Sequence, residues 1–135
     1  MTMLKHAIKI NASRDRVFKA LTDIDEMSAW HHGTVTGKIA VGSEMFLNPK
    51  PGLKFGWETT ELVPNERIVQ KCVEGPGSSV GKDLVFTLSD ADAGVTQVQL
   101  TDGDWDDDDD HLPFCNTHWG GVLYRLKRYV EEGRS

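Results

Sequence analysis

No stretch of this sequence approaches the about 20 consecutive apolar residues of a membrane-spanning helix, so insertion through such a helix is excluded. The opening residues, Met1 to His6, contain no apolar signal-peptide core, and the chain is expected to work in the cytosol. Cysteine is scarce. Cys72 and Cys115 lie far apart and form neither a CxxC unit nor a zinc-ligand spacing. In a reducing compartment they are expected to be two buried thiols rather than a disulfide. No basic stripe balances phosphate charge, which argues against nucleic acid as a partner. There is no GxSxG motif, and Gly75-Pro76-Gly77 lacks the lysine and following helix of a phosphate-binding loop. No cofactor is expected.

What the sequence does contain is enough for one domain with its own core. A chain of 135 residues should bury about two-thirds of the surface it exposes when unfolded. Its net charge of -6 is unevenly placed, because Asp104 and Asp106 to Asp110 contribute six negative charges within seven residues. The run lacks the glycine turn and closing glutamate of an EF-hand loop, so it reads as a solvated, self-repelling segment rather than a metal site.

Periodicity divides the chain into strand, two helices, about six strands and one long helix. Residues 4–11 alternate as a first strand. Ser13 is a helix N-cap candidate, with Asp15 in the first turn and Val17, Phe18 and Leu21 on one face. Thr22-Asp23 offers a second cap for a short helix ending at Trp30. Thr34 to Ile39, Glu44 to Leu47, the segment around Phe55, Trp57 and Thr59, and Arg67 to Val73 read as strands. Asn48 to Gly52 and Pro64 to Glu66 read as turns, and Gly75 to Ser79 as a longer mobile connection. Leu84, Phe86 and Leu88 face one way in the next strand, and Thr96, Val98 and Leu100 do so in its hairpin partner, with Ser89 to Gly94 as the link. Pro113 suits the first turn of the last helix, whose stripe runs through Phe114, Cys115, His118, Trp119, Val122, Leu123 and Leu126 to Tyr129 and Val130. Gly120-Gly121 weakens that helix and is read as permitting close approach of backbone or ligand.

These segments together resemble the START-like, Bet v 1-like (SRPBCC) superfamily, and within it domains related to the activator of the Hsp90 ATPase. The resemblance rests on Ile8-Lys9-Ile10, Val17 to Thr22, Met27, Trp30, Gly37 and Gly42, on the run Trp57 to Val69, and on Trp119, Leu123, Leu126 to Tyr129 and Gly133. It implies an α+β helix-grip fold. In that fold a curved antiparallel sheet wraps around the long C-terminal helix, two short helices follow the first strand, and a cavity for apolar ligands lies between. Two features depart from the family pattern: the acidic stretch before the last helix, and the order Trp119-Gly120-Gly121 where glycine usually precedes tryptophan. The resemblance also implies a possible chaperone partner, although a separate partner-binding domain of the kind that precedes the START-like part in the eukaryotic activator is not expected.

The expected function is a binding protein for a small apolar or aromatic molecule. The candidate ligand-binding residues are Trp30, His32, Trp57, Phe86, Leu100, Trp105, Phe114, His118 and Val122. Tryptophans supply large apolar faces with one polar handle each. His118, His32 and Glu58 are polar candidates for orienting the ligand, and the six carboxylates beside the expected mouth should disfavour anions. The alternative is a cyclase- or hydrolase-type enzyme using His118 as acid or base. A thiolate–imidazole pair of Cys115 with His111 or His118 is sterically allowed on a helix, with an inert thiol favoured.

Overall fold

The computed structural model describes residues 2–31 and 33–133. Within them a first strand, β1 (Thr2–Ile10), leads into helices α1 (Arg14–Thr22) and α2 (Ile24–Trp30). Six strands follow: β2 (Thr34–Gly37), β3 (Glu44–Lys50), β4 (Leu53–Val63), β5 (Arg67–Glu74), β6 (Asp83–Asp92) and β7 (Val95–Trp105). The chain ends in α3 (Leu112–Glu132). The fold is the expected α+β arrangement, with a seven-stranded antiparallel sheet in the order β1-β7-β6-β5-β4-β3-β2. Strands β2 to β7 form a simple meander. The first strand closes the far edge by pairing with the last, Ile8 opposite Val98.

Alternation sets which face of the sheet is covered. Met45 and Leu47 of β3, Ile68 and Cys72 of β5, Leu84, Phe86 and Leu88 of β6, and Val98 and Leu100 of β7 are all buried. One covered face of an antiparallel sheet requires a helix layer over it. The second half of α3 provides it through Trp119, Val122, Leu123 and Leu126, none more than 5% exposed. Val17, Ala20 and Leu21 of α1 and Met27 and Trp30 of α2 complete the same core. The end of α3 is fastened by polar contacts as well. Lys127 Nζ donates to the Lys9 carbonyl (2.7 Å), Glu131 accepts from the Asn11 amide (2.7 Å), and Tyr129 donates to Glu26 (2.9 Å).

Several local expectations change. Ser13 occupies the N-cap position of α1 but makes no capping bond, whereas the Asp23 carboxylate caps α2 through the amides of Asp25 and Glu26. β3 runs through Asn48 and Pro49 to Lys50, which narrows the expected turn to Pro51-Gly52, and its register with β4 shifts between Leu47 and Lys50. Proline is tolerated there because an irregular register frees it from donating to the ladder. Likewise β6 continues to Asp92, leaving a tight turn at Ala93-Gly94, and β7 continues five residues past Leu100. The connection read as mobile between Gly75 and Ser79 is held in turns, with the Ser79 hydroxyl donating to the Pro76 carbonyl (2.8 Å). Gly120 and Gly121 approach no neighbouring backbone: a side chain at Gly120 would enter open space. No helix among the described residues is long and apolar enough to cross a membrane.

Candidate functional site

The extension of β7 to Trp105 and the start of α3 at Leu112 leave a space beneath the first two turns of the helix. A cavity of about 460 Å³ lies there, within the size range of small-molecule sites. Its floor is sheet: Phe55 and Trp57 from β4, Cys72 from β5, Asp102 and Trp105 from β7. Its roof is α3: Phe114, Cys115, His118 and Trp119, with His111 at the helix start. Pro49, Lys50 and Leu53 border it on the β3–β4 side, and Pro76 and Ser79 on the β5–β6 side.

The wall is predominantly aromatic and ordered by ring contacts. Phe55 stacks on Trp57 (5.8 Å) and on His118 (6.2 Å). Trp57 lies 6.0 Å from Trp119 at a tilt of 55°, and His118 meets Trp119 edge-on at 5.3 Å. These separations are those of favourable aromatic pairs. Phe114 stands at the mouth and is 76% exposed. Gly77 lies against the His111 ring so closely that a Cβ would come within 2.3 Å of it, which fixes the β5–β6 loop against the roof.

Asp102 is the carboxylate in this wall. It is 8% exposed and accepts from Trp119 Nε1 at 2.9 Å through Oδ2. Burial raises its carboxyl above the usual carboxylate range, opposed by the Trp119 bond and by Lys82. The Trp105 indole also lies near it and favours the ionised form, although its N–H completes no hydrogen bond. Lys82 sits over the Trp105 ring, its Nζ 4.5 Å from the centroid.

Both cysteines are free and both line the cavity. Burial pushes each thiol up to about 11, and the Asp102 charge adds to the effect, so neither is a thiolate at neutral pH. That removes the basis for a thiolate–imidazole pair at Cys115.

Of the sequence-derived candidates, Trp57, Trp105, Phe114 and His118 come together in the cavity wall. Trp30 does not reach it. Its indole N–H is spent on the Ala20 carbonyl (2.9 Å), its ring stacks on His31 (4.0 Å), and it is fully buried. Phe86, Leu100 and Val122 are likewise core residues away from this cavity. Glu58 is not in the wall, and His32 lies outside the described residues. Asp102, Cys72 and Phe55 also line the cavity, although sequence reasoning does not single them out as ligand-binding. The signal for Asp102 was present, since it continues the Thr96, Val98, Leu100 alternation by one step.

The acidic run forms turns between two wall residues, Trp105 and His111. Asp107 accepts from the Thr2 hydroxyl, and Asp109 accepts from the Ser78 hydroxyl and from the His111 amide (2.9 Å). The bond from Ser78 holds the Asp109 carboxyl below its ordinary range. No group of three or more His, Cys, Asp or Glu among the described residues is arranged to hold a metal ion.

Comparison with known proteins agrees with this architecture. A solution structure of the Aha1 dimer from Colwellia psychrerythraea is 28% identical over 100% of both chains, with a TM-score of 0.90. An Hsp90 activator from Plasmodium falciparum is 14% identical, covering 96% of each chain, with a TM-score of 0.79. DynU16, a protein of the dynemicin biosynthetic locus, is 20% identical over 98% of this chain and 48% of its own, with a TM-score of 0.82. No curated protein matches the chain significantly. Residues 11–131 match the family described as Activator of Hsp90 ATPase homolog 1-like protein, and the chain belongs to that family.

Proposed function

We propose that this protein is a small-molecule-binding START-like domain that holds an apolar or aromatic ligand between its sheet and α3. The observation that carries the reading is the cavity of about 460 Å³ with stacked aromatic walls. Affinity would come from burial at about 25 cal/mol per Å² of apolar surface, less the cost of association. The two free cysteines suit a reducing compartment such as the cytosol. Native mass spectrometry of protein purified from its own host should reveal a retained ligand. Titration with an environment-sensitive naphthalene dye should give saturable binding that Cys115→Trp, which fills the cavity, reduces at least tenfold. Equal binding by the filled variant would overturn the reading. A reaction in the same cavity would fall to His118, and turnover of a bound ligand would then be lost in His118→Ala.

A second reading is favoured by the end-to-end likeness to the Colwellia Aha1: an interaction with Hsp90 through the outer surface. Stimulation of Hsp90 ATPase activity that survives Cys115→Trp would support it, and absence of any stimulation would remove it.

A further inference from the structure

A carboxylate at the base of an aromatic cavity is expensive to keep there. Removing an ionised carboxylate from water costs several kcal/mol unless it is matched by charge and hydrogen bonds. Asp102 has one formed hydrogen bond, from Trp119 Nε1, and takes part in no ion pair among the described residues. Lys82 bears on it electrostatically, yet its ammonium is committed to the Ser78 carbonyl (2.6 Å) and to the face of Trp105. The Trp105 indole N–H, in a residue 1% exposed, lies near the same carboxylate but completes no hydrogen bond. A solely apolar ligand would leave the carboxylate with that single hydrogen bond from Trp119, because it brings neither a donor nor a charge.

We infer that the ligand class of this cavity is an aromatic or alicyclic amine, whose protonated nitrogen pairs with Asp102 while its rings lie against Trp57, Trp105 and Trp119. The inference rests on the cavity being the ligand site. Indole faces attract cations, more strongly when water is excluded, and three indoles line the same cavity as the carboxylate. The Lys82 contact on Trp105 shows that one of these faces already receives a cation. Asp106 to Asp110, between Trp105 and His111, add a negative field at the mouth that steers cations inward and anions away. Lys50, His111 and His118 are the basic groups in the wall, and neither Lys50 nor His111 is ion-paired with Asp102.

Three naphthalene probes of one size test this: 2-naphthylmethylamine, 2-naphthylmethanol and 2-naphthoate, titrated by calorimetry into the wild-type protein and Asp102→Asn. The amine is expected to bind wild type at least tenfold more tightly than the alcohol, with the carboxylate weakest. Asp102→Asn, which keeps an acceptor for Trp119, should bring amine and alcohol within about twofold of each other. Equal binding of amine and alcohol by wild type overturns the amine assignment but leaves the receptor reading standing. So does an amine preference that persists in a folded Asp102→Asn. Failure of all three probes to bind removes both readings. Should Asp102→Asn not fold, the order of affinities on wild type alone decides.

Discussion

From Trp119 to Leu126, α3 buries a residue at every turn: Trp119, Val122, Leu123 and Leu126. From Leu112 to His118 it buries none. The stripe of apolar and aromatic side chains is nevertheless continuous across both halves. Periodicity therefore identifies the side of a helix that faces inward without saying whether anything fills the space below. In the second half the space is filled by strand side chains and by α1 and α2, and polar ties to Lys9, Asn11 and Glu26 fix the end. Beneath the first half lies the cavity of about 460 Å³.

If that division is right, substitutions in the two halves should separate stability from binding. The largest effect is expected from Leu126→Ala, fully buried in the packed half, which should cost about 2–5 kcal/mol in a urea melt with little change in affinity per folded molecule. Next comes His31, which faces the junction, since His118 and Arg125 both bear on it. Burial, helped by the proximity of His118 and Arg125, lowers its pKa from 6.5 to about 3. Below pH 6.5 the unfolded chain thus binds a proton that the folded chain refuses. Stability contributed by the neutral imidazole is complete above that pH and falls as pH drops, by up to about 1.4 kcal/mol per unit until about pH 3. His31→Phe keeps the stack on Trp30 and should flatten the melting temperature between pH 6 and pH 4 relative to wild type. A smaller gain is expected from Gly120→Ala. Its Cβ meets open space, so the helix should be stabilised by up to about 1 kcal/mol. The smallest change in stability belongs to Phe114→Ala, within about 0.5 kcal/mol because the ring is exposed, while probe affinity should weaken several-fold. A large loss of stability in Phe114→Ala would mean that the first half is packed after all.

Much of the fold was legible because the local signals agree with one another. Asp23 caps α2, Pro113 opens α3, Gly133 closes it with a positive φ of 76°, and strand alternation gives the inward faces. The site was legible only in part. Trp105 was identifiable as a large ring at an element end, Trp57 and Phe114 as large aromatics, and His118 as a polar group with Phe114 and Val122 at i−4 and i+4. Trp30 looked the same in sequence, but its indole bond to Ala20 is a tertiary contact that no local pattern announces. Asp102 was obscured for the opposite reason. It stands beside a run of aspartates whose composition reads as solvent-exposed, and only its register, opposite Leu4 on one side and Leu84 on the other, turns it inward.

The pairing of β1 with β7 has a consequence for synthesis. The partner of Ile8 is Val98, ninety residues later, so at about 5–20 residues per second β1 leaves the ribosome roughly 5 to 20 seconds before its place in the sheet exists. During that interval α1, α2 and the β2–β6 meander are made while the first strand stays unpaired. Lys5 and Lys9, alternating with its apolar residues, act as gatekeepers that discourage its association with other nascent chains until the last strand arrives.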